Sequence, residues 1–166
     1  MNPFDIFALN FLTECTALVD RRVVALEAES SASEDPDAWG VFDSLEYVVG
    51  FGFVACQQYV STVASNHKQT KKHALELGPQ HRTGQPMVAI VNAAANYWKH
   101  SPEWELHDQG EKIRAIFEQV GGRPSGDYPV SSLLCDLLSP LPPRFERLVP
   151  FLERWKDEVA NSSRAV

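Results

Sequence analysis

The chain reads as an all-α protein: an up-and-down bundle of four main helices with shorter ones between them, a single helical domain over residues 1–166. Three observations predict this. Apolar residues recur at spacings of three and four along most of the chain. No stretch alternates apolar and polar residues as a half-buried strand does. The connections are short and marked by Pro and Gly, which makes successive helices antiparallel neighbours. With 166 residues, 44% hydrophobic and 22% charged, the chain has the composition of a globular domain and the length for one sizeable core.

The first helix is predicted over Pro3–Glu29, with Pro3 in the first turn, where its missing N–H costs nothing. Two rows run along it: Phe4, Phe7, Phe11, Cys15 and Leu18, then Leu12, Val19, Val23 and Leu26. Together they read as one buried stripe. The polar linker "SSASEDPD" follows, and Asp35 before Pro36 is a helix-start signal. The second helix is predicted over Pro36–Lys72, about 50 Å long. Its stripe comprises Trp39, Phe42, Leu45, Val49, Phe53, Cys56, Val60, Val63 and His67. Gly50 and Gly52 interrupt it, as a kink or a place where another backbone comes close.

Thr83 is expected to cap the third helix, with Pro86 in its first turn and Met87, Ile90, Val91, Ala94, Tyr97 and Trp98 on its apolar side. Ser101-Pro102 stops it, because the residue before Pro avoids the α region. Asp108 and Glu111 form a capping-box pattern ahead of Ile113, Ile116, Phe117 and Val120. A short helix, "VSSLLCDLLS", comes next. The last segment, Pro143–Asn161, carries Phe145, Leu148, Leu152, Trp155 and Val159 inward, with Pro150 kinking or splitting it.

Composition narrows the function classes. Cys15, Cys56 and Cys135 lie far apart with no CxxC pair, so they read as free buried thiols rather than a zinc or redox site. A net charge of −7 argues against a broad phosphate-binding surface. The charge is nonetheless uneven: residues 66–73 are basic and residues 27–37 acidic. No apolar run approaches the roughly 20 residues of a membrane span, and the N-terminus lacks a basic leader. The expected location is the cytoplasm, with no membrane partner.

The stretch "VNAAANYWKHSPEW", Val91 to Trp104, holds the chemistry. On a helix, Asn92, Asn96 and His100 fall in one row, with Lys99 beside it. An imidazole, an ammonium and carboxamides thus gather at a helix C-terminus, where the dipole favours cations. A hairpin of helices two and three sets this end opposite Phe53–Gln58, near Gly52, Gln57 and Gln58. Asn92 and the basic side chains Lys68, Lys71 and Lys72 are the candidate substrate contacts. His100, Glu103 and His107 are metal-ligand types, but Pro102 breaks their register and no fourth ligand follows. No metal and no cofactor are expected.

In "ANYWKH", Asn96 and His100 match the polar and His positions of a signature in which an Arg is followed by a polar residue and then, four to six residues after the Arg, a His. The cluster on its helical scaffold resembles the HEPN superfamily: small helical domains, often dimeric, frequent in toxin–antitoxin and anti-phage systems, many of them metal-independent endoribonucleases. The Arg position falls on Ala95. Lys99 supplies a charge there without the bidentate geometry of a guanidinium. The resemblance implies a HEPN-like homodimer that binds RNA or a toxin–antitoxin partner, with weak or absent cleavage. His100 would exchange a proton with the ribose 2′-hydroxyl or the leaving oxygen, Lys99 would stabilise the phosphorane, and Asn96 would orient them. The alternative is a non-catalytic interaction protein, an immunity protein or antitoxin that neutralises a basic partner. The net charge and the acidic linker favour it.

Overall fold

The computed structural model describes residues 2–100, 110–120 and 126–163. Every regular element among them is helical: α1 (Pro3–Ala32), α2 (Val41–Asn66), α3 (Lys71–Ala74), α4 (Met87–His100), α5 (Gly110–Gln119), α6 (Pro129–Leu138) and α7 (Val149–Ser162), with a 3-10 turn at Phe145–Arg147. The fold is the all-α bundle that the spacing predicts. No helix among the described residues is long and apolar enough to cross a membrane.

The second helix occupies the centre. It packs against α1, α4, α6 and α7, and its Phe53, Cys56, Val60 and Val63 are fully buried. The two glycines mark close approach. A Cβ at Gly50 would stand 2.0 Å from Trp98 Cδ1, and one at Gly52 would stand 2.5 Å from Phe145 Cε2. Phe145 lies edge-on to Phe53, with ring centroids 5.2 Å apart. Small residues on α2 thus admit the largest side chains of α4 and the 3-10 turn.

Buried carboxylates fasten the ends of elements. Asp5 accepts hydrogen bonds at the far end of α2, from Asn66 Nδ2 (2.9 Å), and sits 2.7 Å from His67 Nε2. Asp20 accepts from the backbone N–H groups of Phe145 and Glu146 at 2.8 and 2.9 Å. Burial raises its pKa above the usual carboxylate value, against these two bonds. Glu46 accepts from Val130 N and Ser131 N, 2.8 and 2.9 Å away, and so caps α6 from across the bundle. Trp155, at the middle of α7, is 1% exposed and donates its Nε1–H to the Ala74 carbonyl at 2.7 Å.

Several expectations are corrected. The second helix begins at Val41, not Pro36, because Gly40 takes a left-handed φ of 67° immediately before it. Asp35 accepts from Ala38 N at 3.1 Å and so caps the preceding turn. Trp39 is therefore off the helical stripe and 80% exposed. At the other end α2 stops at Asn66. Lys68 adopts φ 54°, and Lys71–Ala74 forms a separate turn capped by Thr70. Thr83 does not cap the third helix: its hydroxyl meets His81 Nδ1 at 3.0 Å, while the Pro86 carbonyl takes the first helical bonds, from Ala89 and Ile90. The final segment takes the second of its two expected forms, a split into the 3-10 turn and α7, with Pro150 in the first turn of α7. Only Cys56 of the three free thiols is buried; Cys135 is exposed.

The largest correction concerns α1. Leu12, Val19, Val23 and Leu26 enter the core, but Phe4, Phe7, Phe11 and Leu18 are exposed by 69%, 72%, 56% and 58%. The two rows point about 100° apart round the helix. Only the row of Leu12, Val19, Val23 and Leu26 is buried in the core.

Candidate functional site

Small residues make α4 what it is. Ala93, Ala94 and Ala95 are all buried and let α4 lie close along α2. That closeness brings the polar row onto a single side chain, Gln57, which is 6% exposed. The Gln57 Nε2 amide donates to Asn92 Oδ1 at 2.8 Å, to Asn96 Oδ1 at 2.9 Å and towards the Asn92 backbone carbonyl at 3.3 Å. Its Oε1 accepts from Lys99 Nζ at 2.7 Å. Asn92, Asn96 and Lys99 do come together, and they do so on one glutamine. Gln58, its neighbour, faces the other side of α2 and is exposed.

His100 lies one residue past this network and is exposed at the end of α4. Ala95, at the Arg position of the resemblance, is fully buried in the core. No cationic side chain therefore reaches the site from that position. Glu103, His107 and Asp108 lie outside the described residues.

Two predicted sets meet here. Lys71 has its pKa lowered, first by loss of solvent around its ammonium and then by the charge of Lys99. The basic segment and the end of α4 thus share one electrostatic neighbourhood. Lys68, Lys71 and Lys72 are all exposed on this segment, so the loss of solvent at Lys71 is partial. A folded pKa below the unfolded lysine value means that the charged form is disfavoured by folding. This contribution is favourable above the unfolded value and is lost as pH falls through the folded one. At neutral pH Lys71 is therefore held charged at a cost. Lys99→Met raises the Lys71 pKa towards the ordinary value without reaching it, because burial remains; a pH titration of the lysine Cε and Nζ resonances measures the change. An unchanged Lys71 titration would show that the two ammonium groups do not sense each other.

A second surface of different chemistry lies at the start of α2. Asp37, Phe42, Asp43, Asp127 and Tyr128 line an open depression of about 710 Å³. The Tyr128 hydroxyl donates to Asp37 Oδ1, and Phe42 and Tyr128 have ring centroids 5.6 Å apart. That hydrogen bond, followed by desolvation and by the negative charges of Asp37, Asp43 and Asp127, pushes the phenol up to about 12. Trp39 stands between Asp37 and Asp43 in sequence and is the most exposed large hydrophobic residue described. Sequence reading placed it in the core and so missed this face; the signal was the αL-permissive Gly40 directly after it.

No family model, no curated protein and no solved structure matches the chain.

Proposed function

We propose that this protein is a non-catalytic interaction module that takes a basic protein partner on the acidic face around Trp39. The observation that carries the reading is an indole 80% exposed in a turn flanked by Asp35, Asp37 and Asp43, with Asp127 lining the adjoining depression. Tryptophan is among the residues most enriched at binding hot spots. The net charge of −7 adds long-range attraction for a cationic partner. The commitment of Asn92, Asn96 and Lys99 to Gln57 points the same way, since those groups are already spent on holding α4 to α2. An immunity protein or an antitoxin fits this chemistry.

One observation favours a second reading. Lys71 and Lys99 are close enough to repel, and a bound phosphate would relieve that repulsion. With His100 exposed nearby, this is the HEPN-like reading: RNA held at the end of α4, with cleavage weak or absent.

Co-expression with each protein encoded beside this chain, and titration with mixed-sequence single-stranded RNA, separate the two. The first reading expects one basic protein to co-purify, with affinity reduced about 10- to 100-fold by Trp39→Ala and weakened by salt. Binding of RNA that Lys71→Ala and Lys99→Met abolish, with no co-purifying protein, would replace it with the second. RNA cleavage lost in His100→Ala would reinstate the nuclease.

A further inference from the structure

The aromatic row left outside the core has a shape as well as a composition. Phe4, Phe7, Phe11 and Leu18 follow one line along α1, and beside them a groove of about 230 Å³ runs between α1 and α2. Phe7, Phe11 and Cys15 form one wall of it and Ala55, Gln58 and Thr62 the other; none of its lining residues is charged. Phe51, 55% exposed, lies one turn before Ala55 on α2. The apolar line ends at Arg22, which pairs with Glu29 at 2.8 Å on the same side of the helix.

We propose that this ridge and groove form the face on which two copies of the chain pair, with their α1 helices antiparallel about Phe11. A ridge lying beside a groove is self-complementary under a two-fold axis, each copy's Phe7 and Phe11 entering the other's groove. Phe11 is the midpoint of the row, so an antiparallel pairing sets Phe4 against the partner's Leu18. The four phenylalanines, Phe51 included, expose roughly 500 Å² between them, and with Leu18 and the groove walls the face approaches the roughly 800 Å² per partner of a stable interface. Two chains of net charge −7 repel, and the groove, with no charged residue in its lining, lets them meet with the least repulsion; exposed Glu14, between Phe11 and Leu18, is a charge beside it. The same row does not suit an anionic membrane, because α1 holds no lysine and its two arginines are outnumbered by Asp5, Glu14, Asp20, Glu27 and Glu29.

Light scattering coupled to size exclusion, run on the full chain over a dilution series, reads the proposal. A concentration-dependent dimer is expected, and Phe7→Glu or Phe11→Glu weakens it by roughly 100-fold or more with the helical circular dichroism unchanged. Should the charged variants lose their helicity, Phe11→Cys in a Cys15→Ser, Cys135→Ser background decides instead: a short bismaleimide links it to the partner's Phe11→Cys. A wild-type chain that stays monomeric throughout overturns the proposal. So does a dimer that neither charged variant weakens, a Phe11→Cys chain that does not cross-link, or a monomer that floats with phosphatidylcholine vesicles through Phe7.

Discussion

Trp155→Ala is expected to lower the unfolding free energy by about 4–6 kcal/mol. The indole is 1% exposed and is packed between elements that have no other reason to meet. Its ring lies 6.3 Å from Tyr59 of α2, and its Nε1–H binds the Ala74 carbonyl of α3. The Gly78 backbone runs against it so tightly that a Cβ there would stand 2.9 Å from Cδ1. Truncation opens a cavity and removes the shorter of the Ala74 carbonyl's two hydrogen bonds, leaving it Leu77 N at 3.4 Å. A loss of this size consumes much of the roughly 5–15 kcal/mol that holds a domain folded. Urea titration followed by circular dichroism should show a midpoint far below wild type. Trp155→Phe keeps most of the volume and loses the hydrogen bond, so it should cost only about 1–3 kcal/mol. If the two variants were equally mild, the packing described for α7 would be wrong.

Asp5→Ala is the second large effect, about 3–5 kcal/mol. Asp5 is 4% exposed, and its two carboxylate oxygens serve different partners, Asn66 at 2.9 Å and His67 at 2.7 Å. Without it both groups at the end of α2 lose their acceptor in a place water reaches poorly. The loss is local as well as global. Hydrogen exchange should accelerate in the first turns of α1 and at the end of α2 before it does so in α4. Exchange that rises evenly along the chain would show that Asp5 does not clamp those two ends.

These two residues mark where sequence reading succeeds and where it stops. The spacing of Phe145, Leu148, Leu152, Trp155 and Val159 announces an inward helical face, and the structure buries four of the five to 1% exposure or less and Leu152 to 2%. The same pattern misleads on α1, because periodicity shows that a row is apolar without showing whether anything covers it. Phe4 and Leu12 look alike in the sequence; only the position of α2 separates them. Helix starts are legible when the cap is local, as with Asn2 accepting from Phe4 N at 3.1 Å. They are not legible when the cap arrives from another element, as Glu46 does for α6 and Asp20 for the 3-10 turn. The candidate site divides in the same way. The row Asn92, Asn96, His100 follows from four-residue spacing on one helix. The meeting of Asn92 and Asn96 with Gln57, 35 residues before Asn92, is a tertiary fact, and it changes those two from free functional groups into partners.

The central claim is that Asn92, Asn96 and Lys99 lock α4 to α2 through Gln57. A double-mutant cycle joining Gln57→Met and Asn96→Ala, measured by urea unfolding, tests it most directly. The account predicts a coupling of about 0.5–1.5 kcal/mol, the worth of the one hydrogen bond the two carboxamides share, since Gln57 keeps Asn92 and Lys99 when Asn96 is removed. Strictly additive effects, with no coupling between the two side chains, would contradict it.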